Sequence, residues 1–329
     1  MSFFLKLFKL LPPELSHSFS LNSLNILYKF KLLKFFIQKP SNNESFNFVG
    51  LKFKNRLGTA AGLDKNGDYI DSLGSLGFGF LEVGTITPKA QKGNTKPRVF
   101  RNFKENSIIN RLGFNNKGID YLIQNLKKRS YDGILGVNIG ANKDSKGIKR
   151  IDDYLICLEK VYKYSDYITI NISSPNTPNL REFHKEEELK NLIKSIDSKV
   201  IELDISIPIF LKISPDESDQ TIDTLINILD KSRITGVVAT NTTIDKSSIL
   251  SKGFSSIDGG LSGALLMEKS TDKLSYINSK LNNLPLIGVG GVISRKDYEM
   301  KLQAGAQLVQ IYTGFIIKGP KIINEILIN

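Results

Sequence analysis

The chain has 329 residues, 40% hydrophobic and 24% charged, which excludes global disorder and suits one α/β barrel of about 250 residues with an extension. One cysteine (Cys157) excludes an intramolecular disulfide, and two histidines (His17 and His184) leave little material for a zinc site, so we expect no metal. The formal charge of +12 would suit nucleic acid, but no helix-turn-helix, zinc-finger or RNA-binding signature accompanies it, and we expect no such partner.

The amino terminus carries two basic, amphipathic patterns. Residues 1–11 place apolar side chains on one helical stripe, and Pro12 and Pro13 are expected to end that helix. A second helical pattern runs roughly from Ser20 to Ile37. Neither reaches the roughly 18 uninterrupted apolar residues of a transmembrane helix. The pattern favours helices lying in a membrane interface, although a helical hairpin that caps the next domain would look the same.

A polar stretch near residues 40–44 predicts a linker, which divides the chain into a helical segment (1–40) and a second domain (41–329). In that domain short apolar runs alternate with amphipathic helical segments, as parallel strands do with their helical crossovers. Eight runs favour a closed (β/α)8 barrel, and no G-x-G-x-x-G follows a strand as a dinucleotide-binding fold requires. The predicted strands are Gly58–Leu63, Phe80–Gly84, Leu135–Ile139, Tyr167–Ile172, Ile207–Ile213, Gly236–Thr240, Leu286–Val289 and Leu308–Tyr312.

Small and polar residues cluster where these strands end, at the face that carries the active site in such barrels. The first strand ends in AAGLDKNG, in which small residues admit a flat ligand and Lys65 supplies a cation, although a solvated turn explains this motif equally well. Asn138 and Asn171 lie at the ends of the third and fourth strands, Asn241 directly follows the sixth, and Asn110 lies on a loop. One such asparagine is commonly a turn former, but the recurrence predicts amides that converge on a neutral ring.

A lysine and a set of glycines predict an anionic ligand. Lys212 ends the fifth apolar run, where burial of its ammonium is costly unless an anion such as a reduced flavin lies nearby. Glycines mark the last strands in GGLSG (259–263), GVGG (288–291) and YTGF (312–315). Loops after the seventh and eighth strands of such barrels often bind phosphate, so a phosphorylated ligand is expected.

In chain order, the motifs AAGLDKNG, GTITPKAQKGNTKPRVFR, NRLGFNN, NISSPNTP, ATNTT, GGLSG, GVGG and QIYTGF closely resemble the class 2, quinone-reducing, membrane-associated dihydroorotate dehydrogenases. The resemblance runs from about Leu57 to Pro320. It implies a barrel enzyme that oxidises dihydroorotate to orotate in pyrimidine (UMP) biosynthesis, with FMN as hydride acceptor and ubiquinone or menaquinone as final acceptor. It also implies a peripheral membrane protein on the cytoplasmic face of the inner membrane, where the lipid surface is a partner.

The resemblance further implies residue roles. Ser174 falls where the family places its catalytic base, and cytosolic class 1 relatives carry a cysteine there. His17 and Arg101 match positions near the quinone site, which two amino-terminal helices would open to the membrane. The implied FMN-binding residues are Ala61, Gly62, Lys65, Thr85, Asn138, Asn171, Lys212, Thr240, Gly263, Gly291, Tyr312 and Thr313. The implied substrate-binding residues are Lys65, Asn110, Arg111, Leu112, Gly113, Phe114, Asn171, Asn176, Asn241 and Thr242.

Two alternatives stay open on the sequence. In the first, the chain is another FMN-binding barrel oxidoreductase or a phosphate-binding lyase, and the absence of flavin absorbance in purified protein would favour the lyase. In the second, the chain is a non-catalytic barrel at a membrane surface. Against this stands the intact set of polar residues, which a non-enzyme has no reason to keep: Lys65, Asn171, Ser174, Lys212 and Asn241.

Overall fold

The computed structural model describes residues 11–35, 45–176, 183, 185–280 and 284–328, so most of the predicted first helix and the linker lie outside the described residues. The strands are β1 (Phe46–Phe48), β2 (Leu51–Phe53), β3 (Leu57–Thr59), β4 (Phe80–Ile86), β5 (Val99–Asn102), β6 (Ser107–Asn110), β7 (Ile134–Ile139), β8 (Tyr167–Asn171), β9 (Ile209–Ile213), β10 (Gly236–Ala239), β11 (Gly260–Gly263), β12 (Leu286–Val289) and β13 (Leu308–Ile311). The helices are α1 (Pro13–Lys29), α2 (Ile70–Gly74), α3 (Ile119–Lys128), α4 (Ile148–Val161), α5 (Glu186–Glu202), α6 (Asp219–Leu229), α7 (Lys252–Ser255), α8 (Met267–Lys280), α9 (Arg295–Gln303), α10 (Thr313–Lys318) and α11 (Lys321–Leu327).

The described residues form a closed barrel of eight parallel strands, which confirms the predicted fold. Around the barrel the order is β3, β4, β7, β8, β9, β10, β12 and β13, and pairing of β13 with β3 closes it. All eight strands lie where the apolar runs predicted them. The largest discrepancy is at β3, which ends at Thr59 rather than Leu63 because the chain turns there into the AAGLDKNG loop.

Aromatic side chains fill the amino-terminal end of the barrel. The rings of Phe53 and Phe80 meet edge to face at 5.4 Å, and those of Tyr167 and Phe210 at 5.7 Å. The antiparallel hairpin β1–β2, which the sequence analysis did not predict, contributes to this cluster and brings the Phe48 ring within 6.2 Å of Phe210. Because this end is filled by large apolar rings, polar chemistry is left to the carboxyl end of the strands.

A small antiparallel sheet, formed by β5, β6 and β11, lies beside the barrel mouth. Gly260–Gly263 pairs with Ser107–Asn110, which in turn pairs with Val99–Asn102. The GGLSG motif, expected to mark one of the last barrel strands, therefore belongs to this sheet and not to the barrel. The sheet brings Asn110 and Gly263 to the same cavity as the barrel strands.

Helix α1 packs over one side of the barrel mouth. It begins at Pro13 rather than near Ser20, because proline is favoured at the first helical position, where no N–H is needed. It ends at Lys29, so the expectation that the helix reaches Ile37 was wrong; a single 3-10 turn follows at Leu33–Phe35. In the described part of the chain, we find no helix with the length and apolarity that a membrane span requires.

Candidate active site

A cavity of about 130 Å³ opens at the carboxyl end of the barrel strands. Loops from most of the barrel strands and from the β5–β6–β11 sheet surround it, so residues far apart in the chain meet there. The predicted site residues that line it are Ala61, Gly62, Lys65, Thr85, Asn110, Leu112, Gly113, Phe114, Asn171, Ser174, Asn176, Lys212, Thr240, Asn241, Thr242, Gly263, Gly291, Tyr312 and Thr313.

Of the residues predicted to bind FMN or the substrate, Asn138 and Arg111 do not line this cavity. Asn138 lies directly behind its wall, where its Oδ1 accepts hydrogen bonds from Thr85 Oγ1 (2.6 Å) and Asn171 Nδ2 (3.3 Å). The Arg111 guanidinium points elsewhere, donating to the Pro97 carbonyl and lying 5.2 Å from the centre of the Phe100 ring. Asn138 therefore orients two lining side chains, whereas Arg111 braces the neighbouring loop.

Hydrogen bonds join the strand ends into one polar wall. Asn171 Nδ2 donates to Thr85 Oγ1 (3.0 Å), while its Oδ1 accepts from the Ser173 hydroxyl (3.0 Å). The Ser173 oxygen in turn accepts from Asn241 Nδ2 (3.0 Å). Amides and hydroxyls that follow β4, β8 and β10 are thereby held in fixed orientations. Ser173, which the sequence analysis did not single out, is the residue that links β10 to this network.

The wall rests on a buried carboxylate, Glu82, in the middle of β4. Its two oxygens accept hydrogen bonds from Asn138 Nδ2 (2.9 Å), Tyr167 OH (3.0 Å), Thr169 Oγ1 (3.0 Å) and Gln310 Nε2 (2.7 Å). Charge-assisted bonds of this kind are the strong ones, which explains how an ionisable group is retained in the barrel interior. Sequence reasoning missed Glu82, although a lone acid inside the apolar run FLEVG was a signal.

Lys212 lies at the floor of the cavity with only 5% of its surface exposed. Desolvation lowers the pKa of its ammonium, and the negative charge of Glu82 opposes that shift. Among the described residues no hydrogen-bond acceptor for this ammonium is found. Gln310, another lining residue, has a buried Oε1 that likewise lacks a partner within the described chain. A cavity with both an unsatisfied donor and an unsatisfied acceptor fits a heterocycle that offers both kinds of group.

Lys65 supplies a second cation at the cavity. Its Nζ donates to the Gly62 carbonyl (3.3 Å). Burial, followed by the Arg98 charge, lowers its pKa to about 8, and Glu14 of α1 opposes that shift. The ammonium therefore stays largely protonated at neutral pH, as binding of an anionic substrate requires.

Ser174 lines the cavity beside Pro175 and Asn176 and is almost fully buried. Its Oγ accepts a hydrogen bond from the Asn176 backbone N–H at 3.3 Å. The Asn176 side chain donates to Asn110 Oδ1, and its carbonyl accepts from Asn94 Nδ2, both at 3.3 Å. The hydroxyl is thus held on a loop that two amide contacts fasten to the β6 side of the cavity.

Glycines supply a stretch of wall made of backbone alone. Gly290 and Gly291 both line the cavity and have φ values of +114° and +86°. A Cβ at Gly291 would lie 2.2 Å from Cα of Met267, so no other residue fits against α8 there. Backbone N–H groups in such a loop are suited to binding phosphate.

A second cavity, of about 640 Å³, lies between α1 and the barrel. Its walls are mostly apolar, with Leu21 and Leu24 on α1 facing Phe315 and Ile316 on α10. Lys65, Leu112 and Tyr312 line both cavities and therefore form the partition between them.

Both residues predicted near a quinone, His17 and Arg101, line this second cavity. Desolvation, followed by the Lys65 charge, lowers the pKa of His17 to about 4, so the imidazole is neutral at pH 7. The Arg101 guanidinium donates to the Leu11 carbonyl and lies 5.2 Å from the centre of the Phe103 ring. The cavity therefore combines an apolar interior with a neutral imidazole and a cation at its wall.

Two ties fasten α1 over this cavity. Glu14 accepts from Arg98 in an ion pair of 2.9–3.0 Å, and Asn22 Oδ1 accepts from the Tyr69 hydroxyl at 2.8 Å.

The described residues include no cluster of three or more histidine, cysteine, aspartate or glutamate side chains that would hold a metal ion.

Comparison with protein families gives one matching family model, Dihydroorotate dehydrogenase, over residues 44–329. Several curated relatives are named Dihydroorotate dehydrogenase (quinone). The relative from Saccharophagus degradans is 47% identical over 97% of this chain and 95% of its own length. The relative from Buchnera aphidicola is 48% identical over 98% of both chains, and that from Vibrio atlanticus is 50% identical over 87% of both.

Solved structures agree with this result. The crystal structure of the Eimeria tenella enzyme DHODH in complex with ferulenol superposes with a TM-score of 0.86 at 32% identity, covering 96% of this chain and 89% of that one. The ligand-free form from the same organism superposes with a TM-score of 0.82 at 34% identity, covering 88% and 87%. The similarity thus includes the fold as well as the sequence.

Proposed function

The chain belongs to the dihydroorotate dehydrogenase family, and from that membership we propose that it oxidises dihydroorotate to orotate in pyrimidine (UMP) biosynthesis, passing the electrons through a flavin to a quinone. One observation carries the proposal: Lys65, Ser174 and Lys212 meet in a single cavity, and that cavity shares a wall with a larger apolar one. Two compartments that share a wall suit an enzyme in which a polar substrate and an apolar acceptor use one cofactor in turn.

We propose that the flavin is FMN. The unsatisfied Lys212 ammonium and Gln310 Oε1 fit the polar edge of an isoalloxazine ring, and the Gly290–Gly291 backbone fits a phosphate. The side chains and backbone that would hold it are Ala61, Gly62, Lys65, Thr85, Asn171, Lys212, Thr240, Gly263, Gly291, Tyr312 and Thr313, with Asn138 supporting Thr85 and Asn171 from behind.

Dihydroorotate presents one carboxylate and a ring of amide groups. We assign the carboxylate to the Lys65 ammonium, and the ring amides to the asparagine side chains, which both donate and accept. The remaining contacts complete the substrate side of the cavity: Asn110, Leu112, Gly113, Phe114, Asn171, Asn176, Asn241 and Thr242. Arg111 was included in the same set by the family resemblance, and its guanidinium contacts Pro97 and Phe100 instead.

Oxidation removes a proton from C5 and a hydride from C6 of the substrate. Ser174 is the base: its Oγ takes the C5 proton as its own hydroxyl proton passes to a water, and the Asn176 N–H, which donates to this oxygen, holds it in place. When bound, the flavin supplies the hydride acceptor. Lys212 places its positive charge at the cavity floor, where it stabilises electron density arriving on the cofactor side.

The second cavity is proposed to admit ubiquinone or menaquinone. Its apolar walls suit an isoprenoid quinone, and His17 and Arg101 supply the polar contacts for the quinone oxygens. Lys65, Leu112 and Tyr312 would then separate the substrate compartment from the quinone compartment.

We further propose that residues 1–40 form the membrane-associating, quinone-access segment and residues 41–329 the catalytic barrel. The solvent face of the described part of this segment is apolar at helical spacing, as expected for a helix that lies in the interface of the cytoplasmic face of the inner membrane. The exposed apolar residues of the described part are Leu11, Leu15, Phe19, Ile26, Phe30, Leu32 and Phe35, of which Leu15, Phe19, Ile26 and Phe30 lie at helical spacing.

An anaerobic titration of the purified holoprotein with dihydroorotate tests the proposal. The flavin absorbance should bleach stoichiometrically and recover when a short-chain quinone is added. Protein that takes up FMN but is not bleached by dihydroorotate would contradict the assigned substrate. Bleaching without recovery on quinone addition, while a soluble dye restores the absorbance, would contradict the assigned acceptor.

A further inference from the structure

Lys301, on α9, is a buried lysine with no role in the mechanism above. It has no exposed surface, and its Nζ donates to Ser270 Oγ (2.6 Å) and Thr271 Oγ1 (2.9 Å) on α8. No salt bridge of Lys301 is found within the described residues. Because an ammonium held only by hydroxyls is costly to bury, its position requires an explanation.

Ser270 connects this ammonium to the glycine loop of the first cavity. The Lys301 ammonium only donates, so Ser270 Oγ accepts from it and sends its own proton to a carbonyl. Two carbonyls lie within reach, those of Gly290 (3.0 Å) and Met267 (3.1 Å). The ammonium thus fixes Ser270 as a donor toward the backbone of the cavity wall.

The Gly290–Gly291 peptide carries the connection to the cavity. In a trans peptide the carbonyl and the N–H point in opposite directions, so a carbonyl held by Ser270 on the α8 side turns the Gly291 N–H away from α8. Both glycines line the first cavity. No backbone hydrogen bond from the Gly291 N–H is found in the described part of the chain. An unsatisfied donor therefore lies at the end of the chain of hydrogen bonds that Lys301 begins.

We propose that Lys301 is a positioning residue for the flavin phosphate: it polarises Ser270, Ser270 holds the Gly290 carbonyl, and the Gly290–Gly291 peptide presents its N–H to the phosphate. Hydrogen bonds in such a chain strengthen one another, and the charge at its start adds to the attraction for an anion at its end. The inference rests on the proposed function in one respect, that the bound flavin is FMN.

The charges around Lys301 are consistent with this role. Burial lowers its pKa to about 7, while Asp272 on α8 and Asp297 on α9 oppose the shift. The protonated form of Lys301 is therefore only marginally stable near pH 7. A phosphate on the other side of the Gly290–Gly291 peptide would favour this protonated form.

Binding of FMN and of riboflavin to the apoprotein tests the proposal, because the two flavins differ only in the phosphate. Lys301→Met should raise the Kd for FMN about tenfold, the effect of losing one charge-assisted contact, and leave the Kd for riboflavin within about twofold of wild type. Equal weakening of both flavins would mean that Lys301 is only structural and would overturn the proposal, as would unchanged binding of both.

Two further variants make the test specific. Lys296→Met removes an exposed lysine from the same helix and should change neither Kd. Ser270→Ala should reproduce the FMN-selective loss, and the double variant Lys301→Met/Ser270→Ala should lose no more than either single one, because both act through one chain. Additive losses would overturn the proposal that Lys301 acts through Ser270. If Lys301→Met does not fold, the Kd values of Ser270→Ala for FMN and riboflavin decide the matter. Wild-type protein that binds neither flavin would contradict the proposed function itself rather than the role of Lys301.

Discussion

The two cavities of this protein share a wall and are built in opposite ways. The first is formed by strand ends whose side chains are joined by a continuous set of hydrogen bonds, from Asn241 through Asn171 to Glu82. The second is larger, mostly apolar, and closed on one side by a single helix that is tied down by Glu14 and Asn22.

This difference suits the two half-reactions. Proton and hydride removal needs groups held in fixed positions, which a hydrogen-bonded barrel mouth supplies. Admission of a quinone needs an apolar space, which the cavity between α1 and the barrel supplies. Substitutions in the first cavity should therefore strongly affect the rate of flavin reduction and the free energy of unfolding. Substitutions in the second should mainly affect quinone binding, with smaller changes in free energy.

The largest effect is expected from Ser174→Ala. Loss of the base should slow flavin bleaching by dihydroorotate about 10²- to 10⁴-fold, the usual range for general base catalysis, while the protein keeps its flavin. Anaerobic stopped-flow spectroscopy measures the rate. Ser165→Ala is the matched control, since Ser165 is a buried serine that precedes β8, as Ser174 follows it, and donates to the Val161 carbonyl. Unchanged bleaching in Ser174→Ala would remove this residue from the mechanism.

Glu82→Gln should give the next largest effect. The amide presents an NH₂ group to side chains that already donate, and Lys212 loses the nearby negative charge. We expect the free energy of unfolding to fall by about 3–5 kcal/mol, as when a buried charge network is broken. Urea denaturation measures this. Glu159→Gln, which removes an exposed ion pair with Lys199, should cost less than about 1 kcal/mol. Similar losses in both variants would show that the Glu82 network is not a special support of the barrel.

The sequence predicted the first cavity far better than the second. Eight apolar runs set the strands, and a residue that follows a parallel strand must lie at the barrel mouth, so Asn171, Lys212 and Asn241 could be placed from position alone. Glu82 could not, because its role depends on four partners from three other strands. Arg111 was misleading for a local reason: neighbouring residues of an extended segment point to opposite sides, so Asn110 and Arg111 cannot both face the cavity.

The helical segment was harder because its pattern is only amphipathic. Such a pattern indicates that one face is buried but not what buries it, so it favoured helices in a membrane interface without excluding a hairpin that caps the barrel. The start of α1 at Pro13 follows from a preference of proline that competes with its tendency to end a preceding helix. The ties through Glu14 and Asn22 involve partners that are distant in sequence, Arg98 and Tyr69, and no local signal marks them.

Glu14→Gln tests whether α1 serves the second cavity alone. The loss of the charged partner of Arg98 should weaken docking of the helix by about 1–2 kcal/mol and raise the KM for quinone about fivefold or more. The rate of bleaching by dihydroorotate, measured at about pH 6 so that Lys65 stays protonated without the Glu14 charge, should not change, because the other Arg98 contacts, with the Lys92 and Asn94 carbonyls, are retained. Glu325→Gln, at a surface ion pair with Lys318, is the control. A slower substrate half-reaction in Glu14→Gln would mean that the two cavities are not separable.

The smallest effect concerns the pH dependence of His17. Its folded-state pKa is about 4, below the ordinary value of about 6.5 in an unfolded chain, so between these values the unfolded state binds more protons. Stability from this residue is therefore complete above about pH 7 and decreases as the pH falls toward 4. We expect His17→Gln to reduce the loss of unfolding free energy between pH 7 and pH 5 by about 1 kcal/mol, measured by urea denaturation at both pH values. An unaltered pH dependence would mean that the His17 imidazole is as well solvated in the folded protein as in the unfolded chain. The second cavity would then not be an apolar compartment around this residue.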